Sequence, residues 1–222
     1  MKRFLKSLEL FSRNAIVYPL LNLLLKRKPI DQKVDINQIK KILIFRHDRI
    51  GDIIVTTPIF RKLKRANPSL FIGVTASPAN AEIIQENRNV DKIYVLHKGI
   101  ISRLRMILKM RSENYNVILN FVFTSTSWGA LMSALISSKA IRVGHGLEKH
   151  KSYYDKFLII DRLKYHMVES LSEFLLQVFC IEMQQSEYVY EIPISQTARI
   201  NVERFLHHHK LCKRDERIPN RS

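Results

Sequence analysis

From Lys40 onward, short apolar runs alternate with segments of helical spacing, and no other feature limits the fold so strongly. The first run, Lys41–Phe45, is continuously apolar after its lysine, as a strand buried on both faces is. Strands separated by helices need right-handed crossovers, and they form a parallel sheet that helices cover. The sequence therefore predicts an α/β fold with a Rossmann-like parallel sheet and helices on both faces.

The same pattern gives approximate bounds for the elements. Strands are predicted at residues 41–45, 70–75, 92–96, 117–123, 140–143 and 188–194. Helices are predicted at residues 53–65, 79–86, 101–111, 128–136, 167–183 and 197–208. On this basis we expect a basic amphipathic segment at 1–36, the Rossmann-like domain at 37–196, and a terminal helix and tail at 197–222.

The first 34 residues carry eight Lys and Arg against two acidic residues, and their apolar positions have helical spacing. The apolar stretch Ala15–Leu25 is too short to span a bilayer, which needs about 20 residues. Cations that flank an apolar helical stripe are typical of a helix lying in the membrane interface. The sequence thus predicts an interfacial membrane helix. The alternative is a helix that packs against the protein's own body.

The whole chain of 222 residues is strongly basic, with 37 Lys and Arg, 20 Asp and Glu, and a net charge of +17. Such a charge predicts an anionic partner, which is nucleic acid, an acidic membrane or a phosphorylated substrate. Aromatic residues are not interleaved with the basic ones, and no helix-turn-helix or zinc-finger spacing is present, so we expect no nucleic-acid partner. Two distant cysteines fit a reducing cytoplasm. Consecutive histidines at His207–His209 diverge on a helix, so no metal site is expected there.

The turn after the first strand is the leading candidate site, because ligands bind beyond the carboxyl ends of parallel strands. It contains Gly51 and Asp52 at the start of a helix, and it lacks the three glycines of a dinucleotide-binding turn. A carboxylate in the first turn of a helix is stabilised as an anion, and Asp52 could then accept a proton from a bound hydroxyl. Gly51 would let a substrate approach the backbone closely. The alternative is that Asp52 only caps the helix.

The run Lys41-Ile-Leu-Ile-Phe-Arg-His-Asp-Arg-Ile-Gly-Asp-Ile-Ile-Val-Thr-Thr-Pro58 resembles the opening of glycosyltransferase family 9, the ADP-heptose:lipopolysaccharide heptosyltransferases. The likeness extends over about residues 38 to 210, and it recurs at Arg142-Val-Gly144 and His166-Met-Val-Glu169. The resemblance implies the N-terminal, acceptor-binding half of a two-domain GT-B enzyme. It also implies inverting transfer from a nucleotide-sugar, with no cofactor and no obligatory metal.

Roles follow from the resemblance residue by residue. It makes Asp52 the general base on the acceptor hydroxyl, and it places Asp48, Arg49 and Gly51 in the loop beside the acceptor. For Asp48 and Arg49, a local ion pair is the alternative. The resemblance further predicts acceptor contacts at three positions, which are Asn120, Arg142 and His166. Asn120 stands where members of the family often have Asp, so it can form hydrogen bonds but lacks the charge.

Family members have two domains, whereas this sequence shows a single strand–helix series before Lys210. We therefore expect a chain that lacks the donor domain, is truncated, and does not catalyse transfer by itself. Its expected partners are an anionic lipid-linked saccharide and the inner face of the bacterial cytoplasmic membrane, which it contacts peripherally through residues 1–34. Two other functions stay open: a non-catalytic remnant that binds anionic glycolipid and, on charge alone, a nucleic-acid binder.

Overall fold

The computed structural model describes residues 25–97, 99–123, 126–146, 148–160, 164–193 and 196–208. Its strands are β1 Lys41–Phe45, β2 Phe71–Ala76, β3 Lys92–Val95, β4 Val117–Asn120, β5 Ile141–His145 and β6 Lys156–Leu158. Its helices are α1 Ile50–Ala66, α2 Pro78–Ile84, α3 Ile100–Arg111, α4 Thr126–Ile136, α5 Met167–Phe179 and α6 Gln196–His208. Short 3-10 turns lie at Ile36–Gln38, Glu148–Tyr153 and Gln185–Glu187.

The described strands form one parallel sheet in the order β3-β2-β1-β4-β5-β6. Strand β1 is central, and its last residue, Phe45, lies opposite Thr75 of β2 and Asn120 of β4. The strands therefore end along one side of the sheet, which we call the carboxyl edge. The chain reverses its direction across the sheet between β1 and β4, and in this fold class that point is where ligands bind.

Alternate residues of β1 face two separate cores. Ile42 and Ile44 belong to a core that includes residues of α1, α2 and α5. Leu43 and Phe45 belong to a second core that includes residues of α3 and α4. Because successive strand residues point to opposite faces, the sheet is covered by helices on both sides. The predicted fold class is thus confirmed over the described residues.

One predicted strand is absent, and one observed strand was not predicted. Residues 188–193 form no strand; instead the Glu191 amide donates to the Thr57 hydroxyl at 2.9 Å and its carboxylate accepts from Arg61 at 2.9 Å, so the segment is bonded to α1. The sixth strand is β6, whose three residues are too few to show a periodic pattern. It pairs with β5 at the edge of the sheet.

Several element ends also differ from the prediction. Helix α1 begins at Ile50 rather than at residue 53, so Asp52 lies inside its first turn. Strand β4 stops at Asn120, three residues early. Helix α5 ends at Phe179 because Cys180 takes a left-handed conformation with φ of 57°, which terminates a helix. These are shifts of a few residues at ends, where side-chain patterns carry little information.

The predicted interfacial helix falls largely on residues 1–24, which lie outside the described residues. The described remainder of that segment packs against the domain: Leu25 is buried with Ala130 and Tyr153. Its backbone amides at Arg27 and Val34 donate to Ser152 and Val178 carbonyls, both at 2.8 Å. A boundary between two compact units falls between Ile192 and Pro193, and the second unit carries α6. In the described ranges, no helix has the length and apolar character that a bilayer crossing needs.

Candidate functional site at the carboxyl edge

The turn between β1 and α1 places Asp52 at the carboxyl edge. Arg49 is the residue before the helix, and Asp52 is the third helical residue, with its amide bonded to the Arg49 carbonyl at 3.1 Å. The side chain of Asp52 retains 23% of its exposure. A carboxylate here is favoured by the helix dipole and by the first-turn amides, which have no partners within the helix. Asp52 therefore combines stabilisation by the fold with access to solvent.

Arg46 is the centre of the site, and it is not among the site residues predicted from the sequence. It directly follows β1 and is completely buried. Its Nε donates to the Asp52 carbonyl at 2.9 Å and to the Thr56 hydroxyl at 3.0 Å. One terminal nitrogen donates to Asp48 Oδ2 at 3.3 Å and to the Phe121 carbonyl, and the other lies 3.6 Å from Asp52 Oδ1. One guanidinium thus connects β1, the segment after β4, and the first turn of α1.

A sequence signal for Arg46 did exist, although it was weak. An arginine directly after four apolar strand residues, two positions before Asp48, indicates a buried cation with a carboxylate partner. Its bond to Phe121 joins residues 75 positions apart, and no local pattern encodes that contact. The guanidinium also lies 5.7 Å from the ring centre of Phe123, which itself stacks on His145 at 3.9 Å. Aromatic rings therefore cover the cation on one side.

The two carboxyl groups that meet at Arg46 are unlike. The side chain of Asp48 has 9% exposure, less than half that of Asp52. Burial raises the pKa of Asp48 to about 6; Arg46 opposes this shift, and the neighbouring charge of Asp52 adds to it. Carboxylates that share one cation seldom ionise independently. Asp48 therefore gains or loses its proton over a pH range just below neutral, and its charge state affects the electric field at Asp52.

His47 follows Arg46 in the same turn, and its ring contacts Phe45 of the second core. Its Nδ1 is 3.1 Å from the Thr75 hydroxyl, and its ring meets Phe45 edge-on. Burial, with a smaller contribution from the charge of Arg103, lowers the pKa of His47 to about 4. His47 is therefore neutral at neutral pH, and it adds no charge to the site.

Arg49 and Gly51 lie on the surface of the same turn and are exposed. A Cβ built on Gly51 meets nothing within 4 Å. Gly51 is thus not required by packing, and open space lies in front of the first turn of α1. Asp48, Arg49, Gly51 and Asp52 lie together in this turn, and their contacts with an acceptor stay predictions.

Asn120 is also near the carboxyl edge, but its side chain is turned inward. It is completely buried, its Nδ2 donates to the Tyr154 hydroxyl at 2.9 Å, and its Oδ1 accepts from the Val122 amide at 3.2 Å. A Cβ on Gly129 would collide with this amide group. The contacts of Asn120 are therefore structural, and the predicted acceptor contact has no geometric support here.

Arg142 and His166 do not join the turn. Arg142 is the second residue of β5, near the amino end of the strand, and it is 4% exposed. Its guanidinium donates to the Ser137 carbonyl at 3.2 Å, and burial together with the charge of Arg27 lowers its pKa to about 10. His166 is exposed at the start of α5, where its amide donates to Glu169 at 2.8 Å. The acceptor roles of both residues stay predictions.

The chemistry available at the turn is proton transfer. A partly exposed carboxylate, fixed by a buried guanidinium and bordered by open space, can accept a proton from a hydroxyl that lies against α1. In the described ranges, no three His, Cys, Asp or Glu side chains are grouped so that they could hold a metal ion. The partly exposed carboxylate of Asp52, which Arg46 holds in place, supports acid–base chemistry.

Comparison with known proteins gives likenesses of one kind. No protein-family model matches the chain. A lipopolysaccharide heptosyltransferase 1 from Campylobacter coli is 28% identical over 131 residues, which are 54% of this chain and 36% of that protein. A glycosyltransferase family 9 structure from Veillonella parvula superposes with a TM-score of 0.70 at 20% identity, over 82% of this chain and 53% of that chain. The ADP-heptose lipopolysaccharide heptosyltransferase II of E. coli superposes with a TM-score of 0.57 at 16% identity, over 78% and 51%.

These matches agree with the resemblance that the β1–α1 motif predicted. The sequence match supports the family, and the two superpositions show the α/β fold. This chain spans about half the length of the solved relatives, and the aligned part covers little more than a third of the curated one.

Proposed function

Since the chain is similar to the glycosyltransferase family 9 heptosyltransferases, we propose that it carries the acceptor-binding half of such an enzyme, with Asp52 as the general base. In this reaction Asp52 takes the proton of an acceptor hydroxyl, whose oxygen then attacks the anomeric carbon of a nucleotide-sugar. The bond from that carbon to the diphosphate oxygen breaks, and the nucleoside diphosphate leaves. The acceptor is a lipopolysaccharide core or a related glycolipid.

One observation carries this proposal: Asp52 is a partly exposed carboxylate that a fully buried cation fixes in place. Arg46 holds both the Asp52 main-chain carbonyl, at 2.9 Å, and the side chain, at 3.6 Å. Thr56 adds a bond to the same carbonyl at 2.7 Å. A base that is held in position loses little free energy to reorganisation when the proton moves. A residue that merely begins a helix needs no such support.

The remaining residues of the turn fit an acceptor-binding role. Arg49 and Gly51 are exposed beside Asp52, and an arginine suits phosphate groups through charge-assisted hydrogen bonds. Asp48 takes part through its carboxyl group beside Asp52. We place the direct acceptor contacts at these three positions.

The described residues provide one Rossmann-like sheet, and we propose that the nucleotide-sugar is bound by a separate donor domain. On this view the 222-residue chain does not catalyse transfer by itself. In line with the family resemblance, the proposed reaction uses no resident metal and no further cofactor, and Asp52 supplies the base. Residues 25–34 pack against the domain, so the membrane contact of the predicted segment 1–34 falls to the residues before Leu25, and the enzyme acts at the cytoplasmic face of the inner membrane.

The test is a transfer assay with a donor domain fused to the chain, taken from the ADP-heptose lipopolysaccharide heptosyltransferase II of E. coli. Asp52→Asn should lower kcat/KM for sugar transfer from ADP-heptose to a lipopolysaccharide core acceptor. The expected loss is at least about 100-fold, the scale of a lost general base. Asp31→Asn is the matched control, because Asp31 is exposed and lies outside the turn. A near-normal rate for Asp52→Asn would reduce Asp52 to a residue that stabilises the helix.

The unfused chain tests the division into two halves. It should bind the acceptor and transfer nothing, and turnover by this chain would contradict the assignment of the donor site to another domain. Acceptor binding without transfer, even in the fusion, would favour a non-catalytic glycolipid-binding protein.

A further inference from the structure

Helix α3 has an exposed apolar stripe that its own domain does not use. Three of its apolar side chains are exposed, Ile101 at 69%, Leu104 at 51% and Leu108 at 65%, and Leu135 of α4 is 41% exposed. The spacing i, i+3, i+7 puts the three α3 residues on one face. We call these four residues the α3 stripe. A helix that packs against a domain with one face normally shows polar side chains on the other, so this face needs an explanation.

The opposite face of α3 is already occupied. Ile107 and Met110 are buried in the core with Ile118 and Met132. Helix α3 is therefore apolar on two faces: one packs against the sheet and the other faces outward. Packing within the described domain accounts for the first face alone.

Cations border the α3 stripe. At 100° per residue, Arg105 and Lys109 lie on one side of it and Arg111 on the other. The Arg111 guanidinium reaches the Leu135 carbonyl at 3.3 Å, which joins the α3 and α4 parts of the stripe. Apolar residues flanked by cations on a helix surface are the pattern of interfacial membrane binding.

Acidic side chains are almost absent from this part of the chain. Residues 96–147 contain seven Lys and Arg and a single acidic residue, Glu113. The charge of Glu113 is already paired with Lys41, at 2.7 Å, and with Lys92, at 2.5 Å. The cations around the stripe therefore form a field of one sign, which an anionic surface would complement.

We propose that the α3 stripe docks on the surface of an anionic lipid bilayer, with its leucines and isoleucine among the lipid tails and its cations at the headgroups. A second copy of this chain fits less well, because a two-fold contact would bring the same cations face to face. Nucleic acid fits less well too, because phosphates do not bury exposed leucines.

The stripe begins close to the candidate site, which connects the two. Arg103, in the first turn of α3, lies 5.5 Å from the ring of Trp128, and its charge acts on His47 in the β1–α1 turn. A bilayer against the α3 stripe would hold a lipid-linked saccharide within reach of this end of the sheet. The purpose of the surface rests on the proposed function, but binding to lipid can be measured without it.

The experiment measures binding of the full chain to vesicles of phosphatidylglycerol and of phosphatidylcholine. Trp128 is the sole tryptophan, so brominated lipid should quench its fluorescence when the α3 side meets the bilayer. The double variant Leu104→Ser, Leu108→Ser should weaken binding to phosphatidylglycerol vesicles by about tenfold and remove the quenching. Arg105→Glu with Lys109→Glu should weaken it similarly, and wild-type binding to phosphatidylcholine should be much weaker.

Matched controls use exposed residues elsewhere on the chain. Ile159→Ser with Val189→Ser removes apolar side chains that are 74% and 51% exposed, and Lys40→Glu with Arg88→Glu reverses two exposed charges. Both should leave binding unchanged. Binding carried by residues 1–34 alone would survive the Leu104 and Leu108 changes without quenching of Trp128, and that result would overturn the proposal.

Two other results would also overturn it. The first is a dimer in solution that the Leu104 and Leu108 changes dissociate, since the stripe would then be an interface between copies. The second is tight, salt-sensitive binding to DNA that ignores those changes, combined with no binding to vesicles. Asp52→Asn separates this proposal from the previous one, because it should abolish transfer in the fusion and leave vesicle binding intact.

Discussion

Two arginines are buried at opposite ends of the sheet, and their surroundings differ. Arg46, at the carboxyl edge, lies among two carboxyl groups, and one of them, Asp52, is 23% exposed. Arg142, near the amino end of β5, donates its guanidinium to a carbonyl, while its amide bonds Asp155 at 2.8 Å. Asp155 has a side chain only 9% exposed and also faces Arg27.

This difference distinguishes a candidate functional site from a purely structural contact. At the amino end, two arginines, Arg27 and Arg142, lie near one carboxylate, Asp155, and each guanidinium donates to a main-chain carbonyl. The contacts of Arg27 fasten residues 25–34 to the domain. At the carboxyl edge, a carboxylate keeps part of its surface open beside the open space at Gly51. Burial of an arginine therefore marks both places, and access to its carboxylate partner distinguishes the one that can do chemistry.

The largest expected effect is on Arg46. Arg46→Met should lower the free energy of unfolding by about 3–5 kcal/mol, because it strands buried acceptors on Asp48, Phe121 and Asp52. Arg142→Met should cost about 1–2 kcal/mol, because its guanidinium has a neutral acceptor. Urea unfolding of both variants at neutral pH measures the difference. Equal losses would mean that the carboxyl groups at Arg46 contribute no special stability.

The next effect concerns Asp155. Asp155→Ala should cost about 2–3 kcal/mol, because it removes the acceptor of the Arg142 amide and the partner of Arg27. Amide hydrogen exchange at Arg27 and Val34 should accelerate, while exchange in α1 should not change. Asp155→Asn keeps an acceptor and should restore part of the protection. Unaltered exchange at Arg27 and Val34 would show that Leu25 and its neighbours hold the segment without Asp155.

A smaller effect is expected from the titration of Asp48. Its pKa is about 6 in the fold against an ordinary 3.8, so the native protein holds a proton that the unfolded chain has released between those values. The contribution of Asp48 to stability should therefore fall as the pH rises from about 4 to 6. Asp48→Asn should remove this part of the fall, about 1–3 kcal/mol, since each unit of pKa difference corresponds to about 1.4 kcal/mol.

His47 acts in the opposite direction over an overlapping range. Its pKa is lowered to about 4 in the fold, so it makes stability rise with pH up to its ordinary value of 6.5. The comparison of wild type with Asp48→Asn isolates Asp48, because both proteins retain His47. Denaturant unfolding at several pH values between 4 and 7 gives the difference, and parallel curves would contradict the raised pKa of Asp48.

The smallest effect is predicted for Gly51. Gly51→Ala should stabilise the fold by about 0.5 kcal/mol, because a Cβ there meets nothing and alanine favours a helix. The same change should weaken acceptor binding if the substrate lies against this turn. Gly73→Ala is the contrasting variant: its Cβ would collide with Tyr115, so it should destabilise the protein. A Gly51→Ala protein with unchanged acceptor affinity would move the acceptor away from the turn.

The sequence was sufficient to predict the fold class, because a continuous apolar run such as Lys41–Phe45 is buried irrespective of which elements pack against it. It also located Asp52, since a strand–turn–helix with an early carboxylate is a local pattern. It missed β6, which has three residues. A strand was wrongly predicted at residues 188–193, where the backbone is bonded to a side chain of α1 instead of to a neighbouring strand. Local patterns thus predict the long elements correctly. They fail for short strands and for segments whose conformation depends on tertiary contacts.

Within the site, prediction from the sequence was limited by contacts between residues that are far apart in the chain. Arg46 depends on the Phe121 carbonyl, and the inward turn of Asn120 depends on Tyr154, 34 positions away. Arg142 illustrates the same limit, because the motif that contains it does not show at which end of a strand it lies. A pattern along the chain identifies candidate residues, whereas the packing of distant elements decides which of them reach a ligand.

The position of β1 between β2 and β4 also has a consequence for synthesis on the ribosome. Strands β1, β2 and β3 can pair as soon as residue 95 has left the exit tunnel, but one side of β1 then has no neighbour. The carbonyl of Phe121 arrives later, and only then does Arg46 gain its bond beyond β4. The candidate site is therefore assembled by the arrival of β4, and a nascent chain shorter than about residue 121 has Asp52 without its finished support.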